Sequence, residues 1–222
     1  PQKGKATIAN VVGYDHESGL GLVRATTPLD VEPVPLGSSA TVATGDPLLV
    51  QSLAGKLDGL AVKLADRRRF AGYWEYLLDD AMFTSPAHRE FGGAALLDRE
   101  GRLVGIGSLI VQDAVGEGIA SPGNMFVPVD ALKPIMADLM LTGRRDGPAR
   151  PWLGLSVQAS PAGLIVSRVT DGGPAEKAGV QPGDVIRAVA GHRVTTIAEL
   201  WDTIWAQGTA GVDVPLELAR RG

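Results

Sequence analysis

A hydroxyl, an imidazole and a carboxylate stand close together in the middle of the chain, at Ser85, His88 and Glu90. These groups can activate a nucleophile, because an imidazole can take the proton of a serine hydroxyl and a carboxylate can orient the imidazole. The stretch also reads as a lengthened, solvated loop. We therefore expect a polar surface loop here, and a rebuilt catalytic site is the alternative.

The residues that follow predict a β-hairpin. Phe91 precedes the pair Gly92-Gly93, and two apolar strands ending at Gly107 flank a turn at residues 98–101. Phe91 has no proton to lose and no lone pair, so it cannot attack a carbonyl group.

Composition and charge exclude several classes of protein. The 222 residues are 45% apolar and 21% charged, which is typical of one large or two ordinary globular domains. The net charge of −4 argues against a nucleic-acid or anionic-membrane partner. No run approaches the roughly 18 apolar residues of a membrane helix, and Pro1–Lys5 lacks an apolar signal core.

Metal and cofactor sites are not expected. Cysteine is absent, which excludes thiolate ligands and disulfides, and the three histidines lack carboxylates at ligand spacing. The pair Asp79-Asp80 is interpreted as solvated or backbone-capping.

A basic run, Arg67-Arg68-Arg69, precedes the aromatic residues Phe70, Tyr73 and Trp74 and raises the alternative of nucleic-acid contact. Because neighbouring side chains of a strand point to opposite faces, we expect a solvated sheet edge instead.

The first part of the chain predicts an antiparallel barrel or sandwich, because short β-prone segments alternate with glycine- and proline-rich turns. A helix is expected over Asp130–Thr142, with Asp130 as its cap and Gly143 at its end. The expected strands are Ala6–Val12, Leu20–Val23, Thr41–Val50, Gly59–Phe70, Tyr73–Phe83 and Asn124–Val129.

The last part follows a proline-rich linker at Arg144–Pro151. Thr196 and Glu199 form a capping box for a helix that reaches Gln207. Val212–Ala219 is expected to be a strand whose hairpin partner is missing, with both ends of the chain truncated. Further elements are expected at Trp152–Val157, Gly163–Val169, Asp184–Val189 and His192–Val194 as strands, and at Pro174–Ala178 as a short helix.

Residues 151–222 resemble the PDZ domain attached to HtrA-family serine proteases. The matching residues are Trp152–Leu155, Gly172–Ile186 and Val194, which leads into the helix. The resemblance implies a site in which Leu153-Gly154-Leu155 bind the terminal carboxylate of a peptide through backbone N–H groups. The peptide would then add as a strand beside Leu155-Ser156-Val157.

On the helix of this domain, four apolar residues are candidates for the groove: Ile197, Leu200, Trp201 and Ile204. We select Leu200 and Ile204 as the groove pair, and the alternative places all four in the core. The expected ligands are apolar peptide C-termini bound with roughly micromolar affinity.

Residues 1–150 resemble the trypsin-fold domain of the same family. Val11–Asp15 with Leu20–Val23, and Leu78–Ala81 followed by Gly92-Gly93, carry this resemblance. It implies that Phe91 holds the position of the nucleophilic serine and Gly19 that of the triad aspartate. The triad histidine would precede residue 1, so the first barrel is expected to be incomplete.

The expected fold is mostly β: a trypsin-like antiparallel barrel domain at residues 1–148 and a PDZ α+β domain at 149–222. The favoured function is that of an inactive HtrA-like protease homologue whose PDZ domain binds C-termini or extended segments of proteins. The alternative is an active serine endopeptidase of envelope protein quality control, with catalytic residues outside the aligned positions. A third interpretation makes the barrel an assembly platform, oligomeric in the full-length protein and monomeric in this chain. The family also implies a periplasmic or cell-envelope location.

Overall fold

Two compact units make up the chain. The computed structural model describes residues 7–53 and 57–220. The first unit runs up to Arg69 and resumes at Leu78–Asp146, and the second combines Phe70–Leu77 with the residues from Gly147 onward. The sequence placed the division after residue 148. It did not predict that Phe70–Leu77 would join the second unit.

The first unit begins with an antiparallel hairpin of β1 (Ala9–Asp15) and β2 (Leu20–Ala25). The predicted hairpin is thereby confirmed, although Ala6 and the segment Pro1–Lys5 lie outside the described residues. The turn closes through a hydrogen bond from Gly19 N to Asp15 O of 2.8 Å.

Six strands, which lie mainly in the first unit, close into a barrel, as the β pattern predicted. Closure leaves no unpaired sheet edge in the barrel. The barrel core contains Val50, Leu64, Leu96 and Phe126, none of which has exposed surface. The strands are β3 (Pro47–Leu53), β4 (Leu57–Ala71), β5 (Leu77–Ser85), β6 (Ala95–Leu97), β7 (Leu103–Val111) and β8 (Gly123–Pro128), in the order β3-β4-β5-β8-β7-β6.

Two of the expected strands begin later than predicted. Residues 39–41 form a 3₁₀ turn, and β3 starts only at Pro47. Likewise β5 starts at Leu77, so Tyr73–Tyr76 is not part of a barrel strand.

The helix predicted over Asp130–Thr142 is shorter than expected. Val129–Ala131 forms a 3₁₀ turn, and α1 spans Met136–Thr142. Pro134 lies between them, and proline lacks the N–H group that a helix interior needs. The role of Asp130 as helix cap was therefore wrong: its carboxylate accepts hydrogen bonds from Ser38 Oγ at 2.8 Å and Ser39 Oγ at 2.7 Å. Gly143 ends α1 in a left-handed conformation, as predicted.

A buried ion pair connects the β1–β2 hairpin to the end of the first unit. Asp15 is 3% exposed, and Arg145 donates from Nε to its Oδ1 at 2.9 Å and from Nη2 to its Oδ2 at 2.8 Å. Burial alone would raise the pKa of Asp15, but the hydrogen bonds from Arg145 and Ser18 outweigh it and lower this pKa from 3.8 to about 2. The ionised carboxylate therefore stabilises the folded first unit.

Replacing Asp15 with asparagine is expected to lower the free energy of unfolding of the first unit by about 1–2 kcal/mol at pH 7, allowing for solvent around Arg145. A depressed folded-state pKa contributes stability above the unfolded-state pKa and loses it as the pH falls from about 4 to about 2. Urea unfolding at pH 7 and pH 2.5 tests this. Exposed Glu32→Gln is the control, and equal acid losses in D15N and wild type would contradict the assignment.

The second unit is an α+β domain, as predicted. The elements are β9 (Leu155–Ser160), β10 (Gly163–Val169), α2 (Pro174–Lys177), β11 (Val185–Val189), β12 (His192–Arg193), α3 (Ile197–Trp205) and β13 (Leu216–Ala219). The sheet has the order β12-β11-β10-β9, and the capping box predicted from Thr196 and Glu199 is present at the start of α3.

The last strand has a partner, contrary to expectation. β13 pairs antiparallel with β11, with Val185 opposite Ala219 and Ile186 opposite Leu218. This pairing is nonlocal, which is why inspection of the final residues alone did not reveal it. Within residues 7–53 and 57–220, helices are too short or too polar to cross a membrane.

Candidate functional site

The loop at the expected nucleophile position is held by backbone hydrogen bonds. Ala94 N donates to Phe91 O at 3.0 Å, and Gly93 N donates to Gly107 O at 2.8 Å. Gly93 has a φ of 73°, a conformation that favours glycine. Gly19 lies in the β1–β2 turn with a φ of 73°. Neither Phe91 nor Gly19 offers a group that could attack a carbonyl or orient an imidazole.

The expectation of a solvated loop before Phe91 was wrong for His88. His88 is only 4% exposed, and its backbone N donates to Asn124 Oδ1 at 2.6 Å. Asn124 Nδ2 donates back to His88 O at 3.1 Å. The buried amide of Asn124 thereby fixes the backbone of this loop, an interaction between β8 and the loop that has no local sequence signal.

The side chains proposed for a rebuilt catalytic site have other partners. Ser85 Oγ donates to Pro122 O at 3.3 Å. The backbone N of Glu90 donates to His88 Nδ1 at 3.1 Å, so this nitrogen acts as an acceptor toward the backbone rather than as a donor to the Glu90 carboxylate. These contacts position the loop.

The basic run is paired with carboxylates. Arg67 forms an ion pair with Asp80, and Arg69 Nε lies 2.9 Å from Asp79 Oδ1. Arg68 is half-buried, where an exposed edge was expected, and its guanidinium lies 3.7 Å from the centre of the Phe83 ring. The pairing leaves little free positive charge for phosphate groups. In the described parts of the chain, His, Asp and Glu form no cluster suited to a metal ion.

The loop between the linker and β9 surrounds a carboxylate. The backbone N–H groups of Leu153, Gly154 and Leu155 donate to the carboxylate of Glu75 at 2.9, 2.6 and 3.2 Å. Gly154 has a φ of 78°, and a left-handed residue in such a loop lets successive N–H groups converge on one anion. The predicted strand at Trp152–Val157 accordingly begins only at Leu155.

Glu75 is a half-buried carboxylate among neutral donors. Burial raises the pKa of Glu75 above its ordinary value, and the hydrogen bonds from Leu153, Leu155 and Gly154 oppose this rise. Neutral N–H groups compensate only part of the cost of removing the charge from water.

The residues before Glu75 lie along the edge of the sheet. β9 pairs with β10 on one side only. On its other side Val157 N donates to Tyr73 O at 2.7 Å, and Trp74 stands opposite Ser156 in an antiparallel bridge. The segment Gly72–Tyr76 therefore extends the sheet by strand addition.

The predicted site residues divide into backbone donors and buried side chains. Leu155 and Val157 contribute N–H groups while their side chains are buried in the core, and Ser156 is half-buried. Leu200 and Ile204 are fully buried in the same core, and their place in a peptide groove stays a prediction.

Trp201 is the helix residue that bonds to the added segment. Its side chain has no exposed surface, and its Nε1 donates to Gly72 O at 3.0 Å. Because a buried indole needs an acceptor for its N–H group, a tryptophan on the apolar face of the helix could have indicated a buried hydrogen bond at this point. Glu75 was missed altogether, because its partners are about 80 positions away in the sequence.

Each of the two units matches the profile of a known domain family. The family profile of the trypsin-like peptidase domain matches residues 2–106, and that of the PDZ domain matches residues 165–220. A probable periplasmic serine endoprotease DegP-like from Hahella chejuensis is 32% identical over 143 residues, covering 59% of this chain and 29% of the relative. A probable periplasmic serine protease do/HhoA-like from Haemophilus influenzae is 27% identical, covering 100% of this chain and 49% of the relative.

Solved structures agree on the fold. The HtrA-type protease AlgW with a decapeptide has a TM-score of 0.55 and 22% identity, covering 100% of this chain and 74% of that chain. The matched region spans at most about half of the length of the two curated relatives. Because barrel, PDZ domain and their order along the chain all agree with these relatives, the chain belongs to the HtrA family of trypsin-like serine proteases with a PDZ domain.

Proposed function

We propose that this chain is a proteolytically inactive HtrA homologue whose PDZ domain binds the C-termini of partner proteins. The observation that carries the proposal is the convergence of three N–H groups, from Leu153, Gly154 and Leu155, on one carboxylate. A C-terminal carboxylate offers the same two oxygens as the side chain of Glu75. The edge of β9 opposite β10, where Gly72–Tyr76 now lies, is the strand edge that such a peptide needs.

The catalytic half of the proposal rests on Phe91 and Gly19. Removing the serine of a triad costs about a millionfold in turnover in well-studied proteases. Ser85 and His88 are the candidates for a replacement site. Ser85 Oγ donates to Pro122 O, and His88 Nδ1 accepts from Glu90 N, so both side chains are bonded to nearby backbone groups. The relatives are named serine proteases, so the loss of activity is a property of this chain that requires its own test.

The partners proposed for the groove are peptides with an apolar last residue. Leu153 at the loop is half-buried, and the donors of the loop are neutral N–H groups, which together favour an apolar last side chain. The relatives named periplasmic support a location in the cell envelope.

Peptide binding is tested with a probe that follows the register of Tyr73 and Trp74 on β9. We choose fluorescein-labelled Arg-Phe-Ala-Gly-Tyr-Trp-Val, which is the sequence of residues 69–74 followed by valine, with a free C-terminal carboxylate. The titrations use the Glu75→Ala variant, because the Glu75 carboxylate accepts from the three N–H groups in the wild-type chain. Fluorescence anisotropy is expected to give a roughly micromolar dissociation constant for this variant. The C-terminally amidated peptide is the control and is expected to bind at least about tenfold more weakly. Equal binding of the two peptides, or no binding of either, would overturn the proposal.

Inactivity is tested with a fluorophosphonate probe, which labels activated serine hydroxyls. We expect no labelling of the wild-type chain under conditions that label an active serine protease fully. Labelling that disappears in the Ser85→Ala variant would establish the rebuilt site instead. The Phe91→Ser variant serves as a second control: because the resemblance puts Gly19 at the position of the triad aspartate, this variant is expected to stay unlabelled as well.

A further inference from the structure

We propose that the segment Gly72–Tyr76 is an internal ligand of the PDZ groove, which a partner peptide must displace before it can bind. The inference rests on the proposed function, because it concerns the regulation of the same groove. We call this segment the internal ligand.

The internal ligand runs in the direction that a bound C-terminal peptide would take. Tyr73 O accepts from Val157 N, Trp74 lies opposite Ser156, and Glu75 follows with its carboxylate on the loop. From Tyr73 to Glu75, the segment therefore runs along the edge of β9 toward the Leu153–Leu155 loop. The side chain of Glu75 occupies the position that the terminal carboxylate of a partner would occupy.

The other end of the internal ligand is fixed by α3 and by the core of the second unit. Trp201 Nε1 donates to Gly72 O at 3.0 Å, and Gly72 N donates to Tyr76 O at 2.9 Å. Leu77 is a member of the core cluster of the second unit. The rings of Trp74 and Tyr76 stack with centroids 5.6 Å apart. The segment therefore contacts the strand edge, the loop and the helix, which are the three parts of the groove.

The contacts on β9 and the loop are few enough to be exchanged. The N–H groups of Val157 and Leu155 connect β9 to the segment, at Tyr73 O and the Glu75 carboxylate, and Tyr73 is 59% exposed. The raised pKa of Glu75 indicates that its charged form is less well accommodated here than in water. A peptide with a free carboxylate can take over the same N–H groups.

The internal ligand lowers the apparent affinity for partners in proportion to the fraction of open groove. If the groove is open in about one molecule in a hundred, the apparent dissociation constant rises about a hundredfold. Any event that removes the segment from the groove then raises the affinity for partner peptides.

The opening test compares wild type with Glu75→Ala, using the free-carboxylate probe defined above. We expect the variant to bind at least about tenfold more tightly than wild type. Exposed Glu217→Gln, on β13, is the matched control and is expected to bind like wild type. Equal affinity of wild type and E75A would overturn the inference and leave the proposed function intact.

The locking test uses a disulfide between Trp74→Cys and Ser156→Cys. Directly opposite residues of an antiparallel pair have Cα atoms about 4.5–5.5 Å apart, which suits a disulfide, and the chain has no other cysteine. Oxidised protein is expected to lose probe binding, and dithiothreitol is expected to restore it. Trp74→Cys alone controls for loss of the indole. Undiminished binding by the oxidised double variant would overturn the inference.

Hydrogen exchange gives a readout that does not depend on any peptide. The amides of Leu153, Gly154, Leu155 and Val157 are expected to exchange at least about tenfold faster in E75A than in wild type. The amide of Val166, which donates to Asp184 O within the domain, is expected to be unchanged. Faster exchange in E75A without probe binding by either protein would refute the proposed function and, with it, displacement of the segment by a partner. Unchanged exchange in all four amides would refute the internal ligand.

Discussion

Trp201→Ala is expected to destabilise the second unit by about 3–5 kcal/mol, the largest effect of any single change considered. The indole has no exposed surface and packs in a core with Val157, Leu164 and Ile204. Truncation to alanine leaves a large cavity and also leaves Gly72 O without its donor. Native-state hydrogen exchange of the β10 and β11 amides measures the effect on this unit alone.

The Trp201→Phe variant separates packing from hydrogen bonding. It keeps a large aromatic ring and removes the N–H group, so we expect a loss of about 1–3 kcal/mol. Trp152→Ala is the exposed control, with 55% of its surface accessible in the folded chain. Equal losses for W201A and W152A would show that Trp201 is not a core residue.

Gly107→Ala is expected to destabilise the first unit by about 3 kcal/mol or more. A Cβ at this position would overlap the Phe91 carbonyl oxygen and would also crowd Ala94 N. Both atoms belong to the loop backbone that Gly93 and Ala94 fix through hydrogen bonds, so they cannot give way without breaking those bonds. Exchange of the β7 and β8 amides is expected to accelerate by about a hundredfold.

Gly92→Ala is the matched control for this prediction. A Cβ at Gly92 would meet no atom within 4 Å. We expect a change within about 0.5 kcal/mol, as for ordinary surface substitutions. If G107A were as mild as G92A, the close approach of the Phe91 loop to β7 would be wrong. The pair also shows whether folding of the first unit requires the backbone geometry of the Phe91 loop.

The outcome of the helix predictions shows how far local patterns reach. The capping box of Thr196 and Glu199 was predicted correctly because its two bonds join residues three positions apart. Asp130 also looked like a cap, yet its carboxylate bonds to Ser38 and Ser39, some 90 positions earlier. A local signal was therefore reliable only where no distant donor competed for the same carboxylate.

The sequence by itself determined the family and an antiparallel barrel followed by an α+β domain, and it predicts that Phe91 and Gly19 replace catalytic side chains. The family and the two replaced positions follow from the resemblance of short motifs, and the strands and helices follow from residue type and short-range periodicity, which any stretch of chain carries within itself. Only the tertiary structure decided what faces the Leu153–Leu155 loop. A carboxylate, three N–H groups and the edge of β9 meet there from segments far apart in the chain, and such a meeting depends on the folded path rather than on local composition. For that reason Glu75, which no sequence motif singles out, lies at the centre of the candidate site.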